Sequence, residues 1–241
     1  PSDLIGHDLM APGPIFLGLE GERPIFAFSV TKPEEVLPVE NFVSLRGLGG
    51  NLNPADLAIA GRAKSLFAWH FTEKFCVNCG GQTVSRDGGV KQQCTGCGAE
   101  SFPRVSPVAI MLVTDGKRIL LGRGLGWPER FMSALAGFIS PGETIEEAAQ
   151  REVLEEVGIK TKNPRYIFSQ PWPFPAQLMM GLILDAETTQ ITIDPKELEG
   201  AGWYTRDEVM AVLENRGDAF LSPPRQTIAH QLMRHWIAET A

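Results

Sequence analysis

The 241-residue sequence predicts an α+β protein in three parts: a small N-terminal α/β domain over residues 1–72, a zinc ribbon over 73–103, and a larger α+β domain over 104–241. Three observations predict it. All four cysteines fall between Cys76 and Cys97 in two C-x-x-C pairs. From Val105 onward, apolar runs separated by turn residues read as strands. A charged helix that carries glutamates inside its own apolar stripe interrupts those strands.

Composition narrows the function classes. With 43% apolar and 21% charged residues the chain has the makings of a packed core, so disorder and collagen-like repeats are excluded. Twenty-two basic against 29 acidic side chains leave a formal charge of −7, the wrong sign for a protein that tracks phosphate backbones. The longest apolar run, Val108 to Val113, is far below the roughly 18 residues needed to cross a bilayer, so no membrane partner is expected. No basic segment followed by an apolar stretch opens the chain at Pro1, and a cytoplasmic location is the expectation.

Taken in order, Pro24 to Val30 reads as a strand, and Asn53-Pro54 opens a helix whose small and apolar residues recur at helical spacing to Phe71. Strands follow at Val108 to Thr114 and Arg118 to Gly122 around the Asp115-Gly116 turn, then a helix over about 144 to 157. Strands at Arg165 to Ser169, Leu178 to Ala186 and Gly202 to Thr205, a short helix from Arg206, and a helix from about Gln226 to Glu239 complete the pattern.

Cys76-Val-Asn-Cys79 and Cys94-Thr-Gly-Cys97 are each followed by a glycine, Gly80 and Gly98, which permits the tight knuckle a metal needs. Two such turns offer four thiolates at tetrahedral corners about 2.3 Å from one Zn²⁺ per chain. Four sulfurs leave no open position, so this zinc is structural. Only Arg86 and Lys91 are basic between Cys76 and Gly98, and no aromatic residue stands there to stack on bases, which argues against a nucleic-acid ribbon.

The second signal is Gly137-Phe-Ile-Ser-Pro-Gly-Glu143, followed after seven residues by Arg151-Glu152-Val-Leu-Glu155-Glu156-Val-Gly158-Ile159. Thr144 with Glu147 forms a capping box and Gly158 a C-cap, bounding a helix of about 13 residues. Counting about 100° per residue from Ile145, Ala148, Ala149 and Val153 form one stripe, and Glu152 and Glu156 fall in its middle with Glu155 at its border. A solvated acidic helix would place its carboxylates opposite, where Glu147 and Arg151 lie. Like charges beside a core are costly unless cations neutralise them, and hard oxygen ligands suit Mg²⁺ or Mn²⁺.

This string matches G-x5-E-x7-R-E-U-x-E-E-x-G-U, U being aliphatic, at every position, and so resembles the signature of Nudix hydrolases. The resemblance implies a loop–helix–loop on a mixed β-sheet sandwiched between helices, and hydrolysis of a nucleoside diphosphate linked to another group. Ser169-Gln-Pro-Trp-Pro-Phe-Pro-Ala-Gln177 further resembles the segment that marks the zinc-ribbon NADH pyrophosphatase (NAD-capped RNA hydrolase) branch. Three prolines in five residues are expected to forbid a regular strand there and to form a rigid wall.

By resemblance, catalysis falls to Glu152, Glu155 and Glu156, and the catalytic ions to these three with the Ala136 carbonyl and Glu197, while Glu143 and Arg151 support the loop. Structural zinc falls to Cys76, Cys79, Cys94 and Cys97. The dinucleotide falls to Phe138, Gln170, Pro171, Trp172, Pro173, Phe174, Pro175, Ala176, Gln177 and Ala229, with Phe102 reaching it from the other subunit of a homodimer. Phe102 stands where tyrosine is common, and Gln177 where serine is. The implied activity is metal-dependent cleavage of NADH or NAD⁺ into AMP and a nicotinamide mononucleotide. The alternatives are removal of NAD caps from RNA 5′ ends by the same chemistry, and a non-catalytic dinucleotide sensor or zinc-ribbon adaptor.

Overall fold

The computed structural model describes residues 12–32, 34, 38, 42–48 and 51–239, and its contacts divide the chain into two compact units. No helix among the described residues is long and apolar enough to cross a membrane.

The first unit spans residues 1–105 with 171–176. It opens on an antiparallel hairpin of β1 (Ile15–Glu20) and β2 (Arg23–Ala27). The strand expected at Pro24–Val30 is therefore the shorter second arm, and β1, broken by a bulge between Phe16 and Gly18, has no counterpart in the sequence reading. A short helix α1 (Leu45–Leu48) precedes α2 (Pro54–Thr72), which the Asn53 side chain caps by accepting the Asp56 N–H at 2.9 Å. Three short antiparallel strands, β3 (Thr83–Arg86), β4 (Lys91–Cys94) and β5 (Glu100–Ser101), carry the cysteines. Residues 171–176 lie against α2, where Ser65 Oγ donates to the Pro175 carbonyl at 3.0 Å.

The second unit, residues 106–170 and 177–241, is a mixed sheet covered on both faces. Its strands are β6 (Ser106–Thr114), β7 (Arg118–Gly124), β8 (Leu135–Phe138), β9 (Thr161–Trp172, whose last two residues fall in the first unit), β10 (Gln177–Ala186) and β11 (Leu198–Thr205). They run in the order β11-β7-β6-β10-β9. β10 is parallel to β6, and β7 pairs with only the last residues of β6, leaving Val108–Met111 to pair with β8. Side chains alternate between the faces, as strand geometry requires. Ile110, Leu112, Ile119, Leu121 and Ile183 pack under α4 (Arg206–Leu213) and α5 (Ile228–Glu239). Ala109, Met111, Val113, Leu120, Leu182 and Leu184 pack under α3 (Ile145–Val157). β6 is thus buried on both sides, which is why it reads as the longest apolar run in the chain.

One expectation is corrected. The strand anticipated at Arg165–Ser169 extends to Trp172 and passes through Pro164 and Pro171. β9 ends the strand order, and at a sheet edge a missing N–H removes no ladder bond. Only Pro173 to Ala176 form the turn into β10.

Candidate active site

The four sulfurs form a site on their own. Cys76 and Cys97 Sγ lie 3.7 Å apart, Cys79 and Cys94 Sγ 3.5 Å, and all four lie within 4.8 Å of one another. Tetrahedral coordination with bonds of ~2.3 Å requires sulfur separations of about 3.8 Å, so the set fits zinc. The two knuckles repeat one geometry. The Cys76 N–H donates to Gly81 O and the Cys94 N–H to Ala99 O, each at 2.8 Å, and Gly80 and Gly98 both take φ 73°. N–H groups of Cys97 and Gly96 pull the Cys94 thiol down to about 6. Cys97 accepts from the Ala99 N–H, yet its sulfur neighbours push it up to about 12. Four thiolates this close therefore need a cation between them.

On α3 the helix ends are built as the sequence predicts: a reciprocal capping box between Thr144 and Glu147, and Gly158 left-handed at φ 70°. That register buries Glu156 at 7% exposure among the apolar residues of the stripe. Burial first, then the charges of Glu152, Glu197 and Glu155, push its carboxyl up to about 8. Among the described residues Glu156 has no ion pair. Glu197, which looks like a surface charge in the sequence, is brought near by the bond from Asp194 N–H to the Glu156 carbonyl at 2.9 Å. The Glu152 side chain is 15% exposed and that of Glu155 58%. Among the described residues only the cysteine set brings its ligand atoms within 4.8 Å of one another, so the carboxylates are not drawn together as a closed ligand set. Their type and number suit hard divalent cations.

Arg151 is partly exposed and ties α3 to the strand and loop that precede it. Its Nε and Nη2 donate to the two Glu143 oxygens at 2.5 and 2.8 Å, Nη2 also to the Phe138 carbonyl at 3.0 Å, and Nη1 to Glu152 at 2.8 Å and Glu155 at 2.9 Å. With Arg151 and the Ser140 N–H beside it, Glu143 is held down at about 2. Gly137 on β8 has a steric role that the signature does not reveal: a Cβ there would fall 1.9 Å from the Glu152 carboxyl carbon. β8 also presents Ala136, exposed, and Phe138 with 54% of its surface open.

The remaining predicted residues are divided between the two units. The Gln170 amide is already engaged, donating to the Gln226 carbonyl at 2.7 Å and accepting the Ile228 N–H at 2.8 Å, which fixes the start of α5. Ala229 is buried in the core under α5, at the start of that helix. Gln177 opens β10, paired with Ser106. Phe102, Pro171, Trp172, Pro173, Phe174, Pro175 and Ala176 belong to the first unit, where Phe102 is exposed. There Arg46 lies 4.6 Å and Lys64 5.6 Å from the Phe174 ring centre, contacts that no local sequence signal announces.

A capped helix carrying several carboxylates, set against one face of a mixed sheet with a glycine-cleared strand beside it, is a fold and donor set suited to a hydrolase that uses divalent ions. Residues 103–223, half of the chain, match the NUDIX domain, and residues 7–69 match the NADH pyrophosphatase-like rudimentary NUDIX domain. The chain belongs to the Nudix hydrolase family. It is 36% identical to the NAD-capped RNA hydrolase NudC of Mycobacterium bovis (strain BCG / Pasteur 1173P2), over 96% of this chain and 77% of that protein. It is 44% identical to the human NAD-capped RNA hydrolase NUDT12 over 77% of this chain, and 36% identical to the human mitochondrial NAD(P)H pyrophosphatase NUDT13 over 92% of it. The chain spans 43% of the length of NUDT12 and 66% of that of NUDT13. A Nudix hydrolase structure from Nitrosomonas europaea superposes with a TM-score of 0.54 at 21% identity, over 69% of this chain and 91% of the other, which supports the fold.

Proposed function

We propose that the protein hydrolyses the pyrophosphate bond of NAD(H), adding one water to give AMP and nicotinamide mononucleotide. The observation that carries this reading is Glu156: a carboxyl buried with no ion pair among the described residues, and subject to the charges of Glu152, Glu197 and Glu155, is an arrangement that a bound dication stabilises. The names of the NADH pyrophosphatase-like domain and of the relatives support the substrate.

In this reading the Ala136 carbonyl, Glu152, Glu155, Glu156 and Glu197 hold Mg²⁺ or Mn²⁺. Such ions neutralise charge on a pyrophosphate and acidify a bound water. Glu156 is the candidate to accept the proton of the attacking water or to bridge the ions, and the apolar residues of α3 beside it keep its carboxyl largely out of bulk water. The exposed Phe138 ring offers a stacking face for one planar base. Phe102, supplied by a second copy of the chain in a homodimer, offers another. By the resemblance, Gln170, Gln177 and Ala229, and separately Pro171 to Ala176, remain the candidates for the other dinucleotide contacts. The structural zinc holds the ribbon of a three-domain chain divided at 72 and 103, working in the cytoplasm.

The relatives named as NAD-capped RNA hydrolases favour a second reading, cleavage of the same bond at an RNA 5′ end. A product assay over NADH, NAD⁺, NADPH, other dinucleotides and NAD-capped RNA in Mg²⁺ or Mn²⁺ tests both. AMP and nicotinamide mononucleotide from free NADH are expected. Binding without cleavage in either ion overturns the enzyme reading in favour of a sensor.

A further inference from the structure

We propose that the Arg151 guanidinium is an internal counter-cation for Glu152 and Glu155 that a divalent ion must displace, with Glu143 setting how readily it leaves. The inference rests on the carboxylate site described above. Its basis is the division of labour within one side chain. Nη1 alone spans two of the proposed metal ligands, donating to Glu152 Oε1 at 2.8 Å and Glu155 Oε2 at 2.9 Å. The oxygens that accept from it are withheld from an ion to that extent. The other end of the guanidinium is held independently, by both oxygens of Glu143 and by the Phe138 carbonyl at 3.0 Å.

This division permits an exchange of cations at low cost. An arginine with no other partner would lose everything on giving up two carboxylates. Arg151 keeps a two-point ion pair to Glu143, the strong geometry for a guanidinium, and keeps its hold on the Phe138 backbone. Release of Nη1 therefore frees two ligands without moving the strand that carries Phe138. Glu156 has no such partner, so the positive charge of Arg151 is arranged on the exposed side of the trio and the buried member is left for the ion.

The two residues should then act in opposite directions, which a shared bracing role does not predict. Removing the guanidinium deepens the negative potential at the ligands. Removing the Glu143 charge leaves Arg151 to settle more firmly on Glu152 and Glu155.

The test is calorimetric titration of the full zinc-loaded chain with Mn²⁺ and with Mg²⁺, without substrate. Arg151→Gln should tighten the ion by about tenfold, the scale of one charge-assisted contact. Glu143→Gln should loosen it several-fold, and the double variant should lie nearer Arg151→Gln than Glu143→Gln, since Glu143 bonds to the arginine and to the Ser140 N–H but to neither Glu152 nor Glu155. The metal-free Arg151→Gln protein should melt lower than wild type and gain more on adding Mn²⁺. Loosening in both single variants, or a double variant that behaves like Glu143→Gln, overturns the proposal and leaves a structural brace. Mn²⁺ binding to wild type that survives both Glu152→Gln and Glu156→Gln overturns the site reading itself, and this inference with it.

Discussion

Gly137→Ala isolates what the position of Glu152 contributes. A Cβ built on Gly137 lies 1.9 Å from the Glu152 carboxyl carbon and 2.2 Å from each oxygen, whereas ordinary contact begins at 3.4 Å, so the carboxylate must retreat by about 1.5 Å. Gly137 lies within β8 at an ordinary backbone conformation, so alanine brings no strain of its own. The group that must move is the tip of a flexible side chain, and stability should change by no more than about 0.5 kcal/mol, or about 2 °C in melting temperature. A misplacement of ~1 Å among reacting groups costs about 10²-fold. NADH turnover at saturating substrate and Mn²⁺ should fall by at least about that factor, with the melting curve nearly unmoved. Gly122→Ala supplies the contrast: its Cβ would meet the Leu135 side chain at 2.6 Å, a core collision that costs about 1–3 kcal/mol of stability. Wild-type turnover in Gly137→Ala, or turnover lost only in step with unfolding, refutes the reasoning.

Acid should weaken the fold through His70 and His230, both buried and both with lowered pKa through burial. Each folded-state pKa lies below the ordinary 6.5, so this stability is complete above that pH and drains as pH falls beneath it; a urea midpoint unchanged between pH 7.5 and 5.5 contradicts this. For Glu156 the sign is reversed. Its folded-state value of about 8 exceeds the usual 4.5, so the metal-free fold loses stability as pH rises through that window. Glu156→Gln should then melt above wild type at pH 8.5 without divalent ions, with turnover reduced at least about 10²-fold; a lower melting temperature with full turnover opposes the assignment. Elemental analysis of the purified chain should find one zinc, lost in Cys94→Ser together with thermal stability. Zinc retained in that variant, or a chelator without effect on melting, contradicts the four-sulfur site.

The carboxylate helix was legible in sequence because the helical repeat alone decides which glutamates face the core, and α3 buries Glu156 where that repeat places it. The knuckles were legible because their geometry is local, closed within five residues on each side. What escaped the sequence depends on distant chain. β9 runs through Pro171 because it is an edge strand, a property of sheet order that no window of residues contains. The Gln170 amide is claimed by Gln226 and Ile228, more than fifty residues away. Glu197 reaches Glu156 through a loop hydrogen-bonded to the end of α3, and Gly137 reveals its purpose only when β8 lies beside Glu152. β1 escaped because Gly18 and a bulge interrupt its alternation.

The central claim is that the glutamates of α3, with Glu156 buried and Glu155 at the exposed border, hold the ions that act on a pyrophosphate. An anomalous difference map from crystals soaked in Mn²⁺ tests it most directly. The account predicts a peak about 2.0–2.2 Å from carboxylate oxygens of Glu152, Glu155 and Glu156. A map with manganese elsewhere and none at these three side chains contradicts it.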